Sequence, residues 1–251
     1  MKCGRKAIMW IALALCLICA VLLALALHSR AEHAKPASKD PEGAIAAQED
    51  EDRTLDVPVD FAAWQERNPD VYAWIEYPGT NVDYPIVQRA EDDAYYLRRD
   101  IDGKEAVAGS LYTEHTYNSK TFDDPVTVIY GHNMANRTMF GGLQSHIEAA
   151  DLASTEEYFY VYLPGRILTY RVVGGAPGDD AHILYYNDFS DPTGFSNYFG
   201  NLYAQSGGHV NLPGLLRPNP DDRVVILATC MNGEKYLRYL IIGVLTDDTA
   251  D

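Results

Sequence analysis

Cysteine is nearly missing from most of this chain. Of four in 251 residues, Cys3, Cys16 and Cys19 crowd the N-terminus, and Cys230 stands alone after them. The body beyond residue 30 therefore cannot close an internal disulfide. Basic residues are scarce there too. The whole chain has 20 Lys and Arg against 36 Asp and Glu, a formal charge of −16. Lys2, Arg5, Lys6 and Arg30 fall in the first 30 positions, so the remainder sets 16 basic against 36 acidic residues, a balance of −20. Nucleic-acid binding needs clustered Lys and Arg, and such a body is poorly suited to it. The same acidity opposes an anionic membrane surface. No histidine pair has zinc-ligand spacing, and no metal is expected. There is no internal repeat, and 47% hydrophobic residues exclude a wholly disordered chain.

What is present begins with a long apolar run. Residues 7–27 (AIMWIALALCLICAVLLALAL) carry no charge over 21 positions. A helix needs about 20 residues to cross a hydrocarbon core of about 30 Å. Lys2, Arg5 and Lys6 precede the run and predict a cytoplasmic N-terminus, with the rest outside the cell. The run is longer than the apolar part of a cleaved signal peptide, and Leu-His-Ser-Arg follows it, so residues 1–27 read as an uncleaved anchor. Residues 28–54, rich in Ala, Pro, Asp, Glu and Lys, read as a disordered extracellular stalk. Residues 55–251 form the folded body.

Asp60 can cap a short helix carrying Phe61 and Trp64, stopped by Asn68-Pro69. Asp70 can cap a second helical turn with Val71, Trp74 and Ile75. Strand-like runs follow at 81–87, 109–113, 126–130, 158–163, 167–173, 223–229 and 236–245, with turn signals such as Pro164-Gly165 between many of them. One helix interrupts: Phe195, Tyr198, Phe199 and Leu202 keep i, i+3, i+4, i+7 spacing after Asp191-Pro192. The pattern predicts a mostly β, α+β domain, a closed barrel or sandwich decorated with helices.

Cys230 ends the apolar run 224–229, which reads as a buried core strand. It is either a small buried apolar residue or a nucleophile held at a rigid strand end. A thiol needs a nearby base or cation to supply thiolate. Among the histidines, His132 stands out because it also follows a strand, 126–130, through Gly131. His33 falls in the stalk, His115 and His146 read as solvent-facing, and His182 and His209 carry no partner signal. Arg238 lies inside KYLRYLIIGVL. It either meets an anion in a cleft, where it could hold an acyl-transfer oxyanion, or faces water at a rim.

Three segments carry a family resemblance. Val128-Ile129-Tyr130-Gly131-His132-Asn133-Met134, Leu227-Ala228-Thr229-Cys230 and Arg238-Tyr239-Leu240-Ile241-Ile242-Gly243 resemble the His, Cys and Arg motifs of class B sortases. Residues 68–75, 78–88, 95–97, 108–110 and 139–141 extend the likeness, which spans about 55–247. The resemblance implies a closed eight-stranded sortase-type barrel with N-terminal helices and an extra helix between the sixth and seventh strands. It implies a cysteine transpeptidase on the outer face of a Gram-positive plasma membrane. Cys230 would attack the Thr carbonyl of a sorting signal resembling NPxTN or PxTG. His132 would move the proton, and Arg238 would hold the carbonyl or oxyanion. Asn133, Ala228 and Thr229 would line the substrate site. The partners implied are surface proteins or pilins with a C-terminal sorting signal, and a peptidoglycan or pilin amine as acceptor. No cofactor is implied. Ala228 departs from the Ser usual two positions before the cysteine, removing one hydrogen bond to substrate, and Met231 replaces a polar residue. A secreted cysteine protease and a catalytically silent wall- or pilus-binding module are the rival readings.

Overall fold

A computed structural model describes residues 55–250 apart from Lys235. The expected anchor and stalk lie outside the described residues. No helix among the described residues is long and apolar enough to cross a membrane.

Helix α1 spans Phe61–Arg67, and the Asp60 side chain accepts from the Ala63 amide at 3.0 Å, as its sequence position predicts. The second helical turn expected at Asp70 does not form. Val71–Tyr77 is strand β1, paired antiparallel with both β2 (Val82–Val87) and β5 (Tyr158–Leu163). The run VYAWIEY is buried or half-buried along its whole length, so its apolar residues satisfy helical and strand spacing alike. Seven residues are too few for periodicity to decide, and ladder pairing on both edges decides for the strand.

The remaining strands are β3 (Leu111–Tyr112), β4 (Val126–Tyr130), β6 (Arg166–Asp179), β7 (Val224–Cys230) and β8 (Leu237–Ala250). They close into a barrel in the order β1-β2-β3-β4-β7-β8-β6-β5, the eight-stranded architecture expected. β6 and β8 run further than their apolar cores foretell because they pair with each other from Arg166↔Ala250 to Asp179↔Leu237. Three helices lie between later strands: α2 (Leu143–Ala149), α3 (Ile183–Tyr186) and α4 (Pro192–Tyr203). Asp191 caps α4, and this is the expected helix between β6 and β7.

Two of the three buried clusters among the described residues position the site. Ile129, Val225, Leu227, Tyr239 and Ile241 fill the barrel with residues from the other strands. The alternate residues Val126, Val128, Val224, Ile226, Ala228, Leu240 and Ile242 face outward and meet Phe195, Phe199 and Leu202 of α4. Both faces of β4 and β7 are therefore buried, which is why these strands read as unbroken apolar runs. Where that outer layer reaches the strand ends, side chains come into solvent, and this is where the site lies.

Candidate active site

Strand alternation and register place three sequence-predicted residues together. On β7, Val224, Ile226 and Ala228 face the outer layer, and Cys230 continues that alternation into the open, where its thiol is exposed. Arg238 is the direct cross-strand partner of Cys230 in the antiparallel β7/β8 pair, and it shares the face of Leu240 and Ile242. β4 runs parallel to β7 with Tyr130 opposite Ala228, and the Gly131 amide donates to the Ala228 carbonyl at 3.1 Å. Two residues further along each chain stand His132 and Cys230. All three side chains line one cleft of about 260 Å³.

Gly131 makes that approach possible. A Cβ there would strike the side chains of Leu111 and Phe140, so only glycine lets β4 hand over to His132 at this depth. The ring of His132 is oriented by the main chain. Its Nε2 lies 2.7 Å from the Leu97 carbonyl oxygen. A carbonyl only accepts, so Nε2 carries the proton and donates it there, leaving Nδ1 as the uncommitted nitrogen. The Arg238 guanidinium is half-buried, and its hydrogen bond is a long one of 3.3 Å to the carbonyl of its own neighbour Leu237. No carboxylate pairs with it among the described residues. It is therefore a cation without a committed anion, beside an exposed sulfur.

The three residues expected to line the substrate site separate. Ala228 is buried at the cleft wall and packs into the outer layer. Thr229 also borders the cleft, but it is 2% exposed, and alternation turns its side chain away from the face of Cys230. It offers the cleft its main chain. Asn133 does not line the cleft. Its Nδ2 donates to the Cys230 carbonyl at 2.7 Å and to Asn232 Oδ1 at 2.9 Å, bracing the loop that follows the cysteine.

Sequence reading missed the opposite wall. His182 lines the cleft, with Nε2 at 2.9 Å from one oxygen of Glu114 and 3.1 Å from the other. Burial raises the Glu114 carboxyl above its ordinary value, and the neighbouring His182 opposes that rise. Tyr130 lies beside Glu114, and burial and that carboxylate together raise its phenol. Two other histidines expected to lack partners or face solvent also have carboxylates: His146 meets Glu157 at 2.9 Å and His209 meets Glu148 at 2.7 Å. His146 is half-buried and edge-on to Tyr77. These pairings join distant positions, and no local spacing announces them.

Chemically, an exposed thiol, an oriented imidazole and an uncommitted guanidinium can perform nucleophilic acyl transfer. Known proteins resemble this chain in sequence and in fold. Sortase B of Listeria monocytogenes is 29% identical over 174 residues, which covers 68% of this chain and 67% of that protein. The X-ray structure of Clostridium perfringens sortase B superposes with a TM-score of 0.64 at 25% identity, covering 74% of this chain and 100% of that one. The chain resembles the class B sortases in sequence and in fold. A Staphylococcus aureus sortase B–substrate complex shares the fold at TM-score 0.62 and 18% identity, covering 74% of this chain and 86% of that one. No family model matches the chain. The segments around His132, Cys230 and Arg238 that carry the sequence resemblance meet at the cleft.

Proposed function

We propose that this protein is a cysteine transpeptidase of the sortase B type. The observation that carries the reading is the meeting of Cys230, His132 and Arg238, from three different strand ends, along one cleft. Cys230 gives its thiol proton to Nδ1 of His132, and Sγ attacks the carbonyl carbon of the Thr in a sorting signal of NPxTN or PxTG type. The carbonyl π electrons move to oxygen, and Arg238 holds the resulting oxyanion. The tetrahedral species collapses, the C–N bond breaks, and His132 gives its proton to the departing amine. The thioester is then attacked by an amine of a cell-wall peptide or pilin. His132 takes the amine's proton, the C–S bond breaks, and that proton passes to the departing sulfur. The free Nδ1 of His132 is the atom suited to both transfers, because Nε2 is spent on Leu97.

Residues 7–27 would tether the enzyme to the plasma membrane as a single span with its N-terminus in the cytoplasm. The catalytic domain would then stand at the cell surface among surface proteins or pilins.

The test uses labelled sorting peptides, an added amine and mass spectrometry. The wild-type chain should gain the mass of the acyl fragment on Cys230 and release ligated peptide in preference to hydrolysed peptide. Cys230→Ala should do neither while keeping its fold. Hydrolysis alone at saturating amine would make the protein a protease, and absence of any adduct would make the cleft non-catalytic.

A further inference from the structure

The cleft shares a wall with a second cavity. Asp179, Ala181, His182 and Ile183 line both. The second cavity measures about 380 Å³, more than the cleft itself. Its far side is built by α4 and the turn after it. Asn197, Asn201 and Gln205 recur at i, i+4 and i+8, so they form one stripe about 12 Å long. All three are exposed, and no hydrogen bond engages their side-chain amides among the described residues. From α3, Tyr186 borders the same space and is 69% exposed. Asn187 gives its Nδ2 to the Ile183 carbonyl at 2.8 Å, which leaves its Oδ1 uncommitted.

The chemistry of that lining is selective. No Lys or Arg borders the cavity and Asp179 places a carboxylate on it, so it is poorly suited to an anion. Each amide presents two donors and one acceptor in a plane, a match for vicinal hydroxyls and for acetamido groups. An open tyrosine ring beside them supplies an apolar face with a polar tip. Ile183, Tyr198, Leu202 and Leu240 add apolar surface to the lining, and the closed barrel leaves no free sheet edge for an extended peptide to join. Rings with hydroxylated rims and apolar faces suit this mix of amides and apolar side chains.

We infer that this cavity is a saccharide-binding site that holds the sugar portion of the amine acceptor while its amine reaches over the 179–183 wall to Cys230. This deepens the transpeptidase reading and rests on it for the identity of the ligand as acceptor. The stripe is long enough to engage more than one ring. Asp179, Ala181, His182 and Ile183 are the residues a ligand occupying both cavities would cross.

The test has two arms on the full chain. In the first, the ¹⁵N-labelled protein is titrated with the β-1,4-linked tetramer of N-acetylglucosamine. The side-chain amide signals of Asn197, Asn201 and Gln205 should shift, and tetraglycine at equal concentration should leave them unmoved. Tyr186→Ala should weaken binding by about tenfold, on the scale of one good contact. Absence of those shifts, or equal shifts with tetraglycine, overturns the proposal. In the second arm, ligation is compared between a bare oligoglycine amine and the same amine joined to the sugar. The sugar-bearing acceptor should have a KM roughly tenfold lower. That advantage should shrink to within about twofold in a triple variant Asn197→Ala, Asn201→Ala, Gln205→Ala. Equal KM values in the wild type overturn the acceptor assignment. Failure to form any Cys230 thioester would sink the transpeptidase reading instead, and the amide shifts would still decide the cavity.

Discussion

The side-chain amide of Asn133 holds the carbonyl of Cys230 at 2.7 Å across 97 positions of sequence, and holds Asn232 with its other proton. The segment that follows β4 through His132 and the end of β7 that carries the thiol are thus fastened together immediately beside both groups. Asn133→Ala removes that tie and should slow thioester formation by about tenfold, the scale of one hydrogen bond lost from a positioned group. Asn133→Asp should be slower still, because a carboxylate cannot donate and would face two acceptor oxygens. Single-turnover acylation of a sorting peptide measures both. A wild-type rate in Asn133→Asp would mean that the Cys230 carbonyl needs no partner there.

Arg238 faces Cys230 across the β7/β8 ladder, and among the described residues no carboxylate pairs with its guanidinium, which reaches only the Leu237 carbonyl at 3.3 Å. Arg238→Lys keeps the charge and loses the planar fork that can give two parallel hydrogen bonds to one oxygen or carbonyl. The expected result is a fall of about 10- to 100-fold in kcat/KM for the sorting peptide, with an unchanged melting temperature. Steady-state ligation kinetics check it. A rate near wild type would reduce Arg238 to a source of positive potential.

The parts of this molecule that were legible in sequence are those whose physics is local. β4 and β7 stand out because both faces of each are covered, and α4 because its inward stripe repeats over two turns below an Asp cap. Cys230, His132 and Arg238 could be singled out because each breaks or ends an apolar run. β1 departs from the helical turn that Asp70 suggests, since seven residues buried or half-buried on both faces carry no distinguishing period. The far half of β6 was hidden by Gly174, Gly175, Pro177 and Gly178, which look like turn residues until β8 is seen to pair along them. The Glu114–His182 wall was invisible for a different reason: 68 positions separate its members, and only barrel closure brings them together. Closure itself was expected from the family resemblance, and strand pattern alone left a sandwich open.

Gly131 carries the handover from β4 to His132. In Gly131→Ala the new methyl must displace Leu111 and Phe140, two fully buried side chains of the barrel core. Overpacking of this kind costs about 1–3 kcal/mol, and any main-chain retreat also stretches the Gly131 bond to the Ala228 carbonyl. The variant should melt several degrees lower and lose most of its acylation rate, because the imidazole moves with the main chain. Thermal unfolding and single-turnover acylation on the same sample check the pair. A lower melting point with an undisturbed rate would show that the core yields without moving His132.

Asp248 anchors the end of β8 through charge. Arg166 grips it with two bonds of 2.7 Å, Arg223 adds a third of 2.7 Å, and both arginines also reach Asp123. Hydrogen bonding from Arg166, joined by Arg223, holds the Asp248 carboxyl at about 2, against an ordinary 3.8. The folded form therefore binds its proton less readily than the unfolded chain does. The stabilisation is fully present above pH 3.8 and is lost as pH falls through 2. The side chain is a quarter exposed, so solvent screening leaves a contribution of the order of 1 kcal/mol. Asp248→Asn should lower the melting temperature at pH 7 by about 2–4 °C. That gap between wild type and variant should narrow below pH 4 and close near pH 2. Unfolding followed by circular dichroism across this range measures it. A gap of constant size down to pH 2 would assign the effect to packing at the strand end rather than to the carboxylate's charge.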